Sequence, residues 1–253
     1  YPFLKIETKL GPLNYTNLWA VQADPRESVR TPGRLYRQKY TSMHYLSWNA
    51  TDKWNISLFE SMVWGGDSTS PNAGFYVHFL NPVLFWRPVE NLVGITGGNA
   101  MIGLASSYAL GNGMKVYGQF VIDDFQLEAL KQIAEGHWLN FYSWQLGCKK
   151  YQKLGEDGHL SMRLEYNGAR PFMYAHRTPS TNYTHLMYPL AHPWGSNFQE
   201  LLFQFQLQKE RWLYALQFNY GFRGQDIDSS NYGNDLFRSI FDRDGDLGYR
   251  MGA

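Results

Sequence analysis

Alternation of apolar and polar residues is the clearest pattern in this sequence. From residue 212 to residue 222, every second side chain is large and apolar or aromatic: Trp212, Tyr214, Leu216, Phe218, Tyr220 and Phe222. The intervening positions include Gln217 and Asn219. A period of two predicts a β-strand, and a strand of this length can cross a membrane at a tilt.

The same alternation recurs in the segments 4–10, 114–123, 160–167 and 201–208. In each segment one face is apolar, and the other carries charges or amides: Lys5, Glu7, Arg163, Glu165, Gln204 and Gln206 are examples. Charged groups need water, whereas the apolar face favours hydrocarbon. These segments therefore predict a sheet with one wet face and one apolar face.

Short and long connections alternate along the chain. Turns are predicted at 11–14, 50–53, 111–113, 150–158 and 209–211, and longer excursions at 24–42, 65–98, 124–138, 169–196 and from 223 onward. Transmembrane β-barrels have this arrangement, with short turns on one side of the membrane and long loops on the other. Five hairpins give an all-β fold, an antiparallel transmembrane β-barrel with about ten strands in this chain.

Two segments fit this pattern less well. In 54–64, Glu60 falls on the apolar face, and a β-bulge there would return its carboxylate to the lumen. The segment 100–110 is rich in small residues.

One short loop helix is predicted outside the barrel wall. Asp124 can cap residues 125–135, which contain strong helix formers and are followed by Gly136. The last nine residues have no alternating pattern. Because an open sheet edge cannot remain in lipid, we expect a single barrel domain over 1–253 that is incomplete at both ends.

Composition narrows the possible functions. The formal net charge is +1, with acidic and basic residues mixed along the chain, so no phosphate-binding surface for nucleic acid is predicted. The single cysteine, Cys148, cannot form a disulfide framework or a CxxC zinc pair. Tyr (18) and Trp (9) outnumber Phe (16), which favours membrane interfaces and carbohydrate- or protein-binding surfaces.

Candidate binding chemistry is concentrated in residues 168–198. This segment carries imidazoles, guanidinium groups and rings: Arg170, His176, Arg177, His185, His192, Tyr174, Tyr183, Tyr188 and Trp194. The histidines lack close metal-ligand spacing, so no metal is predicted. Loop packing and sugar binding both fit these residue types, since rings stack on sugar CH groups and polar side chains bind hydroxyls.

Other motifs do not indicate catalysis or a cofactor. The acidic run 242–246 lacks the sixth-position Gly and the twelfth-position Glu of an EF-hand, so it is interpreted as a solvated loop. Asp123 and Asp124 are adjacent and point to opposite faces of a strand, which is poor geometry for paired acid–base chemistry. No P-loop, nucleophile elbow or dinucleotide fingerprint follows a strand, so no enzyme and no cofactor are predicted.

Several segments resemble a known family. They are KYTSMHYLSWNATDKWNISLFESMVW, FLNPVLFWRPVE, VYGQFVIDDF and LEYNGARPFMYAHRTPSTNYTHLMYPLAHPWGSNFQE. Together they resemble the Wzi-type capsule-assembly outer-membrane proteins of Bacteroidetes and their RemB-type gliding-motility relatives, over about residues 10–222.

This resemblance implies a barrel of about eighteen strands in the outer membrane of a Gram-negative bacterium, of which this chain holds the middle and later strands. It also implies a surface lectin that holds capsular polysaccharide on the cell. The positions that fit the family pattern are Asp123, Asp124, Glu165, Asn167, Arg170, Tyr174, His176, Asn182, Tyr183, His185 and His192. Glycan binding and barrel architecture both remain open as roles for these positions.

The expected function is therefore non-catalytic binding or organisation of capsular polysaccharide. The expected partners are outer-membrane lipid and lipopolysaccharide, together with capsular polysaccharide or envelope proteins. Two alternatives remain: an accessory subunit of a gliding-motility or secretion assembly, and a general porin. The barrel pattern alone does not separate these three.

Overall fold

The computed structural model describes residues 2–26, 36–65, 80–82, 98–123, 135–227 and 229–252. Their main element is a ten-stranded antiparallel sheet. Its strands are β1 (Phe3–Leu10), β2 (Leu13–Asp24), β3 (Arg37–Asn49), β4 (Trp54–Trp64), β5 (Asn99–Gly111), β6 (Met114–Ile122), β7 (Tyr142–Lys153), β8 (Gly158–Ala169), β11 (Phe198–Lys209) and β12 (Trp212–Arg223). The short strands β9 (Thr184–His185) and β10 (Tyr188–Pro189) form a separate pair.

Each strand of the large sheet pairs with the next one along the chain. The turns 11–12, 50–53, 112–113, 154–157 and 210–211 alternate with longer connections, and the chain after 223 forms no strand among its described residues. The predicted ten-stranded antiparallel fold is confirmed. The sheet end with the long connections is called the long-loop end below, and the other is the short-turn end.

Cross-strand register divides the side chains into two faces, because residues directly opposite each other share a face. On the polar face, Arg163 of β8 lies opposite Gln204 of β11. On the apolar face, Leu146 is 60% exposed and Phe218 is 54% exposed. The faces therefore follow the predicted alternation.

The connection between β8 and β11 crosses the polar face of the sheet. The segment 170–197 between β8 and β11, called the β8–β11 loop, contains β9, β10 and a short 3-10 helix at Pro179–Thr181. Its Leu186 N–H donates to the carbonyl of Ala23 in β2, 2.8 Å away. Because β2 and β8 are far apart in the strand order, the β8–β11 loop extends across most of the polar face.

The hydrophobic core lies at the long-loop end and not along the whole barrel wall. The loops supply most of its buried side chains: Trp138, Phe141, Phe172, Met173, Tyr174, Ala175, Leu236, Ile240 and Tyr249. They pack against Met101, Val121, Ala169 and Phe198 from the strands or their ends. The packed core thus fixes the loops that cover the polar face at this end.

The bulge predicted near Glu60 is wrong. Pairing of β4 with β3 and with β5 continues without a shift through Glu60, so its side chain stays on the apolar face. There it lies opposite His44, and Glu60 Oε1 is 3.0 Å from His44 Nδ1. The carboxylate is thus paired within the wall and not returned to the lumen. The register shift occurs instead between Ala109 and Gly111.

The helix predicted over residues 125–135 falls, with its cap Asp124, almost entirely on residues 124–134, which lie outside the described residues. No helix among the residues described has the length and apolar character needed to cross a membrane.

Candidate functional site

The β8–β11 loop is anchored to the polar face by Lys39 of β3. The Lys39 side chain is buried, and Nζ donates to the Asn182 carbonyl and Oδ1, both at 2.8 Å, and to Thr184 Oγ1 at 3.1 Å. Asn182 Nδ2 in turn donates to the Leu236 carbonyl at 2.8 Å. Asn182 therefore joins a strand, the loop and the C-terminal segment.

Three other predicted site residues also stabilise the loops, through hydrogen bonds to backbone groups. Arg170 donates from its guanidinium to the His137 carbonyl at 2.7 Å and lies over the Tyr142 ring, 5.5 Å from its centroid. His176 Nδ1 accepts from the Thr178 N–H, and burial lowers the pKa of His176 to about 4, so the ring is neutral at pH 7. His185 Nδ1 accepts from the backbone N–H of Ala23 at 3.3 Å.

A cavity of about 250 Å³ lies between the β8–β11 loop and the polar face. The strands contribute polar side chains to its lining: Ser61, Gln119, Ser143, Gln145 and Asn167. The loop contributes Tyr174, Tyr183 and His192. Four predicted site residues, Asn167 and these three loop residues, therefore meet around one space.

Two tyrosines form the roof of this cavity. The rings of Tyr174 and Tyr183 stack with centroids 6.1 Å apart and an interplanar angle of 29°. The Tyr174 hydroxyl donates to Ser143 Oγ at 2.7 Å, and Ser61 Oγ donates to the Tyr183 hydroxyl at 3.5 Å. Burial raises the pKa of both phenols, so both remain neutral. Tyr174 has a φ of 72°, a conformation that costs free energy and persists because packing and the hydroxyl contact hold the residue in place.

A carboxylate network lies beside the cavity. Glu165 of β8 accepts from the Tyr117 hydroxyl and from Gln145 Nε2, the latter at 3.2 Å. Asn167 Nδ2 lies 3.4 Å from Glu165 Oε2 and 3.2 Å from Glu200 Oε2. One amide thus links two buried carboxylates.

His192 extends the network into the loop. Its Nδ1 accepts from the Trp194 N–H at 3.1 Å, so the proton of the neutral ring is on Nε2. Nε2 then donates to Glu200 Oε2 at 3.0 Å, and the ring stacks on Phe198 with centroids 4.3 Å apart. Burial lowers the pKa of His192, and the neighbouring Glu200 carboxylate opposes that shift. His192 is therefore held in one orientation at the cavity edge.

Two predicted positions remain, Asp123 and Asp124. Asp123 is buried just after β6, and its backbone N–H donates to the Phe141 carbonyl at 3.0 Å. Asp124 lies outside the described residues.

Sequence reasoning missed Glu200, Tyr117 and the cavity-lining Gln145, Ser143 and Ser61. For Glu200 and Tyr117 a signal existed, because both stand at polar-face positions of alternating strands. Nothing in the alternation distinguishes them from other lumenal residues.

Among the residues that the structure describes, no three His, Cys, Asp or Glu side chains are grouped so as to hold a metal ion. In the acidic run 242–246, Asp246 pairs with Arg243 at 2.9 Å.

No protein-family model matches this sequence, and no curated protein matches it. The structure is similar to that of Wzi from Escherichia coli, an outer membrane protein involved in group 1 capsule assembly and described as a carbohydrate-binding β-barrel. The TM-score is 0.60 at 17% sequence identity, and the match covers 85% of this chain and 43% of Wzi. The chain thus spans less than half the length of that protein.

At this identity the likeness establishes the fold, a sheet arranged as in a Wzi-like β-barrel. It bears out the Wzi-like fold that the resemblance noted in the sequence implies. It gives no support to a Bacteroidetes source or to RemB-type relatives.

Proposed function

We propose that this protein is an outer-membrane β-barrel that binds surface polysaccharide, without catalysis, in the cavity beneath the β8–β11 loop. The observation that carries the proposal is the stacked pair Tyr174 and Tyr183, which covers a cavity lined partly by apolar side chains such as Phe59 and partly by amides and hydroxyls. Sugars present CH groups suited to aromatic rings and hydroxyls suited to amides. The likeness to Wzi, a carbohydrate-binding barrel, supports the same reading.

The dimensions of the cavity suit a short section of glycan. Its volume of about 250 Å³ is slightly below the range of about 300–1,000 Å³ typical of pockets for drug-sized ligands. The Tyr174 hydroxyl donates to Ser143, and the Tyr183 hydroxyl accepts from Ser61. These hydrogen bonds hold the faces of both tyrosine rings in a fixed position. A preformed site of this kind loses little conformational entropy on binding.

The apolar face supports placement in a membrane. Large side chains there are exposed across many strands, including Leu104, Leu146, Leu164 and Phe218, and in water such a surface would be unfavourable. In lipid, the same face is the wall of a barrel in the outer membrane of a Gram-negative bacterium, in contact with lipid and lipopolysaccharide. The long-loop end, with the cavity, then faces the cell exterior.

The edges of the sheet imply further strands. β1 and β12 occupy the two ends of the strand order and do not pair with each other. Because unpaired backbone groups cannot remain in lipid, we propose that additional strands close the barrel and that the described sheet is one part of it.

A non-catalytic role fits the two buried carboxylates. Glu165 and Glu200 share the Asn167 amide and fix the neighbouring side chains Gln145 and His192. These contacts position the cavity lining, which is a structural task for both acids.

Tyr183→Ala should weaken oligosaccharide binding by about fivefold, because removing a ring that stacks on a sugar costs on the order of 1 kcal/mol. Tyr188→Ala is the matched control: Tyr188 belongs to the same loop but is 74% exposed and is not among the cavity-lining residues. Binding is measured with the detergent-solubilised protein on an array of capsular oligosaccharides.

Equal losses in the two variants would contradict a site under the loop. Failure of the wild-type protein to bind any glycan, together with co-purification of large envelope proteins, would instead favour an accessory subunit of an envelope assembly.

A further inference from the structure

Three cations form a row across the polar face, towards the short-turn end. Lys115 of β6 lies opposite Lys149 of β7, and Lys149 lies opposite Arg163 of β8. Directly opposed residues have Cβ atoms about 4.5–5.5 Å apart, so three like charges occupy a strip about 10 Å wide. This set is called the cationic row.

The cationic row does not help the sheet to fold. Like charges directly opposite each other on a sheet are destabilising. In the described part of the chain, the carboxylate found near the row is Glu165, whose Oε1 is 3.7 Å from Arg163, and Glu165 already accepts from Tyr117 and Gln145. The side chain of Arg163 is 47% exposed, and Lys149 is exposed as well. The row is thus open to a negatively charged group from outside the sheet.

Amides continue the row on the next two strands. Gln204 lies opposite Arg163, and Gln204 Nε2 donates to Gln217 Oε1 at 2.8 Å. Cations beside amides provide donors for both carboxylates and hydroxyls. This combination suits an acidic sugar and not a small inorganic anion alone.

The cationic row and the cavity share one face of the same strands. On β7, Lys149 belongs to the row and Gln145 lines the cavity, and they are four residues apart on the polar face. At about 3.4 Å per residue, this separation is about 14 Å. A polysaccharide chain that enters the cavity can therefore continue down the wall to the row.

We propose that the cationic row binds the negatively charged groups of the polysaccharide held in the cavity, so the preferred ligand is an acidic polysaccharide whose sugars carry carboxylates. This inference rests on the proposed function. It assigns the neutral part of the glycan to the tyrosine-roofed cavity and the charged groups to Lys115, Lys149 and Arg163.

The test compares Lys149→Gln with Lys150→Gln in the detergent-solubilised protein. Lys150 is the matched control, because alternation places it on the apolar face, where it lies opposite Met114 and Met162. Two probes of equal length are titrated: the galacturonic acid hexamer, with a carboxylate on every sugar, and maltohexaose, which is neutral.

We expect the wild-type protein to bind the galacturonic acid hexamer more tightly than maltohexaose, with an affinity that falls as salt is added. Lys149→Gln should reduce binding of the acidic hexamer by about tenfold and leave maltohexaose binding unchanged. Lys150→Gln should change neither. The heat stability of Lys149→Gln should equal or exceed that of the wild type, since the substitution relieves like-charge repulsion.

Binding of maltohexaose with no preference for the acidic hexamer would overturn the role of the cationic row and leave the proposed function standing. Loss of heat stability in Lys149→Gln with unchanged acidic-hexamer binding would also overturn it, because the counter-charge would then lie within the protein. Binding of neither probe would also overturn the role of the cationic row, and the array of capsular oligosaccharides would then decide the proposed function separately.

Discussion

Replacing Lys39 by methionine should lower the free energy of unfolding by about 3–4 kcal/mol and release the β8–β11 loop from the sheet. Lys39 is 1% exposed, and its ammonium group donates to the Asn182 carbonyl and Oδ1 and to Thr184 Oγ1. Methionine preserves most of the side-chain volume but donates no hydrogen bond, so buried acceptors lose their donor. The loss should therefore exceed that of a simple packing change.

Denaturant unfolding followed by tryptophan fluorescence measures the stability change, and limited proteolysis reports release of the loop. Lys53→Met is the control, because Lys53 lies in the exposed turn 50–53 and its substitution should stay within about 0.5 kcal/mol of the wild type. A Lys39→Met protein with wild-type stability and a protease-resistant loop would show that Lys39 does not anchor the loop.

If the protein is the proposed outer-membrane barrel, Phe218→Lys should destabilise it by about 2–4 kcal/mol. Phe218 lies in the middle of β12 on the apolar face, opposite Phe203, and is 54% exposed. A lysine ammonium at that depth must enter hydrocarbon, distort the bilayer or reach for the interface, and each response costs free energy.

The neighbouring substitution Gln217→Lys gives the matched comparison. Gln217 lies on the polar face, where it accepts from Gln204 Nε2 and donates to Asn219 Oδ1, both at 2.8 Å. Because a lysine there remains in a polar lumen, the expected cost is below about 1 kcal/mol. Reversible folding into lipid vesicles, followed by the gel mobility of unheated samples, compares the two. A larger loss for Gln217→Lys would mean that the two faces are assigned in reverse.

The sequence alone determined the strands, their order of short and long connections, and the two faces of the sheet. Period-two alternation is a local property, because successive side chains of a strand point to opposite sides whatever the strand pairs with. The same rule placed Glu60 correctly on the apolar face, and the bulge invoked to move it was unnecessary because His44 pairs with it there.

The tertiary structure alone decided which polar residues act together. Asn182 and Tyr183 are adjacent in one loop motif but have different roles. Asn182 binds Lys39, 143 residues away in the sequence, whereas Tyr183 covers the cavity. In the same way, Lys115, Lys149 and Arg163 become a row only through the register of three strands.

Alternation fixes the face on which each side chain lies. The strand register, which decides the residue that lies opposite it on the next strand, depends on turn geometry and on pairing between distant segments. For this reason the sequence could predict a polar lumen and a loop with binding chemistry. The position of the cavity and the identity of its lining required the folded chain.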